Sequence, residues 1–409
     1  VVVQRSPTLA LSSAIALTLT AVDPAPSRAQ ARPPEPRSAG VCTLLRSSVL
    51  RFAPEAAPNP QSTIAIAATA TGAIVAFRAR TRDELVILRV DDNFARAGED
   101  RVAAGPVTAF SLVSAPGGAA LVMAERVARD GRDAHDDVLL ARLDAAGNAR
   151  NVPRSLARVA RCDGVAVRPS ATGFVAAWGS LDGPTTSTVT TDTRGVPNAR
   201  PRVVVDASSP RMVSLTGETR FAISVSGPAG SSLLHLDETG ASVEAIAQSA
   251  TPVALVALPS IVLSFASSGD NVGLTRWWPA ATPVEYSVAL PRSIAGGARV
   301  VSSASDRSSA VLVVDDRAER EHLVRIAPDG TPVLLASFAG SNGASASALD
   351  GNTLFSATHA PSGGVELARW SCPRSTTPTT STQPPLTALS QDGGSWTDAS
   401  GSRAADSRP

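Results

Sequence analysis

The 409-residue sequence contains no lysine: all 37 of its basic residues are arginine. That absence removes every mechanism built on an ε-amino group, including Schiff-base catalysis, a phosphate-binding P-loop and the Ser-x-x-Lys nucleophile. An excess of charge of either sign is missing as well. The arginines face 36 acidic residues, for a formal net charge of +1, and so balanced a chain has no global field to concentrate nucleic acid or an anionic membrane. Neither nucleic acid nor membrane insertion is therefore expected, and past the N-terminal apolar run no stretch is long enough to span a bilayer. The HExxH zinc pair, closely spaced Cys/His ligands, the GxSxG elbow and the GxGxxG loop are also absent, so no cofactor is implied. Cysteine is scarce. Cys42, Cys162 and Cys372 allow one bridge and leave one thiol over.

What is present begins with Arg5, an apolar run from Leu9 to Val22, and a proline-containing stretch closing on Ala29-Gln30-Ala31. That order reads as a signal peptide over residues 1–31, and predicts a secreted or periplasmic protein. Residues 32–41, with "RPPEPRSAG", read as an extended linker. Residues 373–409 are rich in Ser, Thr and Pro without apolar periodicity, which predicts a disordered tail. Between them, residues 42–372 carry short runs of Val, Ala, Leu and Thr broken by Gly, Pro, Asp and Ser, the punctuation of many short strands.

Those runs repeat. "LLARLDAAGNAR" (Leu139 to Arg150) returns as "SLLHLDETGASVE" and more faintly as "EHLVRIAPDGTPVLL". The residues just after this strand, Asp91, Asp144, Asp192, Asp237, Trp278, Ala327 and Ser371, are spaced by 41 to 53 residues, with a mean near 47. A four-stranded propeller blade takes roughly 40 to 50 residues. Two residues before the anchor stand Arg89, Arg142, Thr190, His235, Arg276, Arg325 and Arg369; two before those stand Ile87, Leu140, Thr188, Leu233, Leu274, Leu323 and Leu367. Alternation of an aliphatic and a basic residue on one face is strand periodicity, and the third unit is its exception. Upstream runs such as "GAIVAF", "GAALVM" and "GFVAAW" are apolar throughout, as expected of strands packed on both faces. Gly147, Gly195, Gly240 and Gly330 mark hairpins into an outer strand.

The seventh unit ends at "GGVELARWSCP" with no outer strand, while "CTLLRSSVLRF" (Cys42 to Phe52) belongs to no unit. Pairing the spare strand antiparallel to Val365–Trp370 closes the ring and brings Cys42 beside Cys372, within the roughly 4.4 to 6.8 Å between Cα atoms that a disulfide needs. Bridges from Cys162 to either of the others remain open, since connectivity cannot be read from spacing alone. The expected fold is thus all-β: a seven-bladed β-propeller of four-stranded antiparallel blades, closed by an N-terminal strand. Tandem β-sandwiches, with two independent cores, are the alternative.

Few residues suggest chemistry. A ring of arginines suits an anionic ligand, but a contact repeated in every blade points to scaffold, each stem packing between blades. In "RDGRDAHDDV", Asp130, Asp133, Asp136 and Asp137 gather as candidate Ca²⁺ ligands; the spacing misses the EF-hand pattern and two arginines intervene, which favours a solvated hairpin loop. The histidines, His135, His235, His322 and His359, lie in different units. Trp277 falls at the apolar position of Leu143, Leu236, Ile326 and Trp370, leaving Trp278 as the candidate for an exposed ligand contact.

With this pattern from Cys42 to Cys372, the chain resembles secreted bacterial β-propellers with degenerate blades. The resemblance implies a non-catalytic binding or scaffolding platform for a protein or cell-envelope ligand, and it supplies no active-site motif. The second reading is an extracellular hydrolase or lyase with acidic residues gathered at the channel; a third makes the tail a spacer or stalk for display.

Overall fold

A computed structural model describes residues 42–372, apart from 82, 102–104, 129–133, 207, 215–220, 228–229, 249–253, 259–260, 269–270, 278–283, 289–298, 306–309, 316–319, 327–331, 340–344 and 361. The expected signal peptide, linker and tail lie outside these residues. Every sheet among the described residues is antiparallel and four-stranded, and there are seven of them. Six are meanders of consecutive strands. In the seventh, the strand Thr43–Leu50 lies outside Val365–Ser371, followed inward by Thr353–His359 and Ser345–Asp350.

The first strands of the sheets are Ile64–Thr69, Val107–Ala115, Cys162–Pro169, Ser208–Ser214, Ala254–Leu258, Arg299–Ser305 and Ser345–Asp350. Each contacts the first strand of the next sheet, and that of the seventh contacts that of the first. Second strands such as Gly72–Arg78 and Gly118–Val127 are largely buried, because both faces of the first, second, third and seventh sheets are covered. Ile66, Val75, Phe77 and Leu88 of the first sheet pack with Phe355, Val365 and Leu367 of the seventh. Ile74, Ala76 and Ile87, on the opposite face, pack with Leu121, Met123 and Leu143 of the second. Further clusters lie between the second and third, third and fourth, and sixth and seventh sheets. A sandwich would leave one face of each sheet in water; sheets with two dry faces are at odds with the tandem-sandwich alternative.

All seven third strands stop where the repeat places its anchors: Leu85–Asp91, His135–Asp144, Thr185–Asp192, Gly230–Leu236, Asn271–Trp277, Arg320–Ile326 and Val365–Ser371. The turn that follows explains the quoted repeat. In the second, third and fourth sheets the Oδ1 of Asp144, Asp192 and Asp237 accepts the backbone N–H four residues on, at 2.9, 2.9 and 3.0 Å. The Asp carboxylate thus holds a tight loop from inside. Burial pushes the Asp237 carboxyl up, but hydrogen bonds from Thr239 and Ala241, with Arg202 nearby, outweigh it and hold the group below its ordinary range. Three residues after the Asp the backbone turns left-handed, with φ of +82° at Gly195. A Cβ there would stand 3.0 Å from Leu140 Cδ2 of the preceding sheet, so glycine serves both the turn and the packing. The first sheet departs from the rule. Phe94 takes the left-handed position at φ +59° and is buried in the cluster that holds Phe355 and Leu367, where its ring offsets the backbone cost.

Thr43–Leu50 pairs with Val365–Ser371 from Thr43↔Ser371 to Leu50↔Val365. Its side chains contribute little core: Leu44 and Leu45 are about half exposed, and burial returns only at Cys42 and Leu50. The backbone ladder and its two ends hold it. At one end Cys42 and Cys372 form a disulfide with Cα atoms 4.3 Å apart, marginally closer than the expected span. The sixth sheet grips both cysteines, since Cys42 N–H donates to Leu335 O at 3.1 Å and Arg325 Nη2 to Cys372 O at 2.9 Å.

Gly195→Ala should lower the unfolding free energy by about 1–2 kcal/mol, the cost of a Cβ in a left-handed turn. Gly98→Ala, where a Cβ meets nothing within 4 Å, should be neutral. Urea titration of the pair checks this; equal losses would remove the assigned role of the turn.

Candidate functional site

Three of the recurring arginines, Arg142, Arg325 and Arg369, join neighbouring sheets. Arg142 is buried, donates Nη2–H to Pro116 O at 3.2 Å and stacks its guanidinium 4.7 Å from the ring centroid of Phe174 in the third sheet. Burial, with repulsion from Arg150, lowers its pKa. Arg325 reaches from the sixth sheet to the seventh, and Arg369 from the seventh to Asp92 of the first, with Nη1 3.3 Å from Oδ1. Arg89 bonds Ala97 O within its own sheet. In the third unit, Thr188 does the joining: its hydroxyl donates to Gly240 O of the fourth sheet at 2.6 Å.

The acidic loop is brought together differently from its expected form. Asp130 and Asp133 lie outside the described residues. Asp136 and Asp137 are in the strand His135–Asp144, and their side chains part company. Asp137 accepts from Arg158 Nε at 2.9 Å, with His135 Nε2 at 3.4 Å. Asp136 is fully buried rather than solvated. It accepts from Arg126 Nη1 at 2.7 Å and from the Cys162 N–H at 2.7 Å, with Thr108 Oγ1 at 3.5 Å. This carboxylate therefore ties the second sheet to the third. Beside it, burial pushes the Cys162 thiol up to about 12, so the leftover cysteine is a protonated, enclosed group. Among the described residues no three His, Cys, Asp or Glu side chains gather as metal ligands.

The four histidines lie in four sheets. His359 Nε2 is 2.9 Å from Ser62 O, and His322 Nδ1 2.8 Å from Ser337 Oγ. Trp278 lies outside the described residues; Trp277 ends its strand. Leu143, Leu236, Ile326 and Trp370, at the matching positions, are all buried.

Concavity appears where first strands end. A cleft of about 270 Å³ is lined by Thr69, Ser114, Gly117, Ala145, Leu349 and Asp350 among others, joining the inner hairpins of the seventh, first and second sheets. Across all seven first strands the only carboxylates are Asp163 and Asp350. Asp350 is the last residue of its strand. Asp163 is second in its own, whose start is bonded to Asp136 at the opposite end of the second sheet. The two acids therefore do not meet. Nor is any helix among the described residues long and apolar enough to cross a membrane.

This architecture defines a β-propeller, and two solved structures share its fold at TM-scores above 0.5. BBS1N, in its complex with ARL6DN, matches 82% of this chain and 98% of its own at a TM-score of 0.51 and 16% identity. A chain of Kuenenia stuttgartiensis hydrazine synthase matches 76% of this chain and 95% of its own, at 0.52 and 15% identity. The Dos1 propeller matches 76% and 78%, at 0.47 and 12% identity. Identities this low speak for fold alone. No described protein family and no curated protein matches the sequence.

Asp136→Ala leaves the half-exposed Arg126 and the Cys162 N–H without their acceptor, and should cost roughly 1–3 kcal/mol by chemical denaturation, as expected for buried hydrogen bonds lost; a loss under about 1 kcal/mol would demote the joint. The raised Cys162 pKa makes stability full below the ordinary thiol range and lost as pH rises toward 12, because the unfolded thiol ionises first. Native protein at pH 8 should resist iodoacetamide at Cys162 until denatured, and Cys162→Ala should flatten the alkaline loss.

Proposed function

We propose that the seven sheets are the blades of one seven-bladed β-propeller spanning residues 42–372, closed by its N-terminal strand and exported behind the signal peptide at 1–31. The pairing of Thr43–Leu50 with the seventh sheet, the apolar cluster between seventh and first sheets and the Cys42–Cys372 bridge support the closure. A structural disulfide also favours an oxidising, secreted or periplasmic location. The linker at 32–41 and the Ser/Thr/Pro-rich tail at 373–409 then flank the ring.

Within that ring the protein acts as a non-catalytic binding platform for a protein or envelope ligand. One observation carries this reading: the wall of first strands holds only two carboxylates, and they sit at opposite ends. A hydrolase or lyase working by paired acids needs them within reach of one bond. The fold by itself does not choose, since its neighbours include both a protein held in a complex, BBS1N with ARL6DN, and a hydrazine synthase.

The mature chain, cross-linked in envelope extracts, should give discrete protein or glycan adducts on loops at one end of the first strands. Turnover of an ester or glycan panel that Asp163→Asn or Asp350→Asn abolishes would overturn the platform in favour of the enzyme. For the closure, the bridge spans 330 residues; the chain-entropy estimate for so long a loop is about 6 kcal/mol, an upper bound on the roughly 2–5 kcal/mol that removing a native disulfide costs. Cys42→Ser with Cys372→Ser should lose about that much stability; an unchanged denaturation midpoint would argue against a lock.

A further inference from the structure

The first strands are unequal in charge. Against two aspartates they carry three arginines, Arg168, Arg211 and Arg299. Arg168 is the seventh of eight residues in Cys162–Pro169, so it lies near the end of the strand on the side where the inner hairpins turn. Its Nη1 donates to the neighbouring Val167 carbonyl at 3.2 Å, and no carboxylate faces it among the described residues. Burial lowers its pKa to about 10, while part of its surface stays open to solvent. Both conditions hold together for a group on the wall of a channel, ringed by protein but reached by water. It remains a cation at neutral pH.

The adjoining first strand, Ser208–Ser214, lies alongside. Pro169 pairs with Phe174, and Phe174 with Thr191, the residue before a turn aspartate; Ser214 pairs with Phe221, and Phe221 with Leu236, the residue before the next one. Pro169 and Ser214 thus stand level, and Arg168, which pairs with Val175, lies on the face of its strand turned to the fourth sheet. A desolvated cation without a counter-ion destabilises a fold, and local violations of this kind concentrate where a ligand completes the charge balance.

We propose that Arg168 is the anion-binding group of the propeller channel, taking a small oxyanion, a carboxylate or a phosphate. Its planar guanidinium offers parallel N–H donors that match two oxygens at once. The inference rests on the ring reading and deepens it, because it gives the bound ligand an acidic group.

Isothermal titration of the full chain with inorganic phosphate, glutarate and a penta-glutamate peptide, at matched ionic strength in chloride, tests it. Saturable binding of phosphate or glutarate marks a free solute as the source; binding of the peptide alone marks an acidic protein segment. In either case Arg168→Met should weaken binding at least tenfold, and Arg168→Lys less. Arg168→Met should also fold with an unchanged or higher melting temperature, since it removes an uncompensated charge. Equal binding by Arg168→Met overturns the proposal, as does a melting temperature lowered by more than about 5 °C with the lysine variant restoring it, which would make the residue structural. Wild type that ignores all three probes while peptide mapping finds Cys42 joined to Cys372 overturns the anion site alone; a chain without that bridge takes the ring reading down as well.

Discussion

A β-sheet with two apolar faces has no side it can turn to water, so each sheet in this chain needs a neighbour on both sides. That requirement governs the rest of the structure. The nearly continuous apolar second strands exist because of it, and so do the separate core clusters lying between successive sheets. It also explains why the chain's two ends converge. A row of such sheets leaves one bare face at each end unless the last covers the first, and here Phe355 and Leu367 of the seventh sheet pack on Phe77 and Leu88 of the first.

The repeat can then be understood as a set of joints rather than a ligand motif. In the first three units the residue at the aliphatic position meets the turn of the following sheet: Ile87 lies near Gly147, Leu140 near Gly195 and Thr188 near Gly240. In the second, sixth and seventh units the arginine closes a seam, by stacking or by bonding across it. Variation at one position is absorbed at another. Where the third unit lacks both the aliphatic residue and the arginine, a threonine hydroxyl bonds the next turn directly. Where the first lacks the turn glycine, Phe94 fills the seam with its ring. Degeneracy in such a repeat therefore costs little, because each seam needs contact and hydrogen bonds but not a fixed residue.

Much of this was legible from the order of residues. Strand ends, the buried second strands, the hairpin turns and the partner of Thr43–Leu50 all follow from period and alternation, which are local properties. The cysteine pair followed from topology once the missing outer strand had been noticed. The acidic loop misled, because Asp136 owes its burial to Arg126 and to the amide of Cys162, groups 10 and 26 residues away. Nothing within "RDGRDAHDDV" signals them. Arg168 is a similar case. It breaks no local pattern, and its isolation is visible only once the strands on either side of it are known.

By itself, then, the sequence determined the unit: strand length, turn chemistry and the number of times they recur, since each depends on residues a few positions apart. Tertiary structure alone decided which polar groups end in seams and which stay partly open to solvent. Those outcomes depend on contacts between sheets some 47 residues apart in the chain, where small differences in depth along a strand separate a buried joint from a group that water can reach.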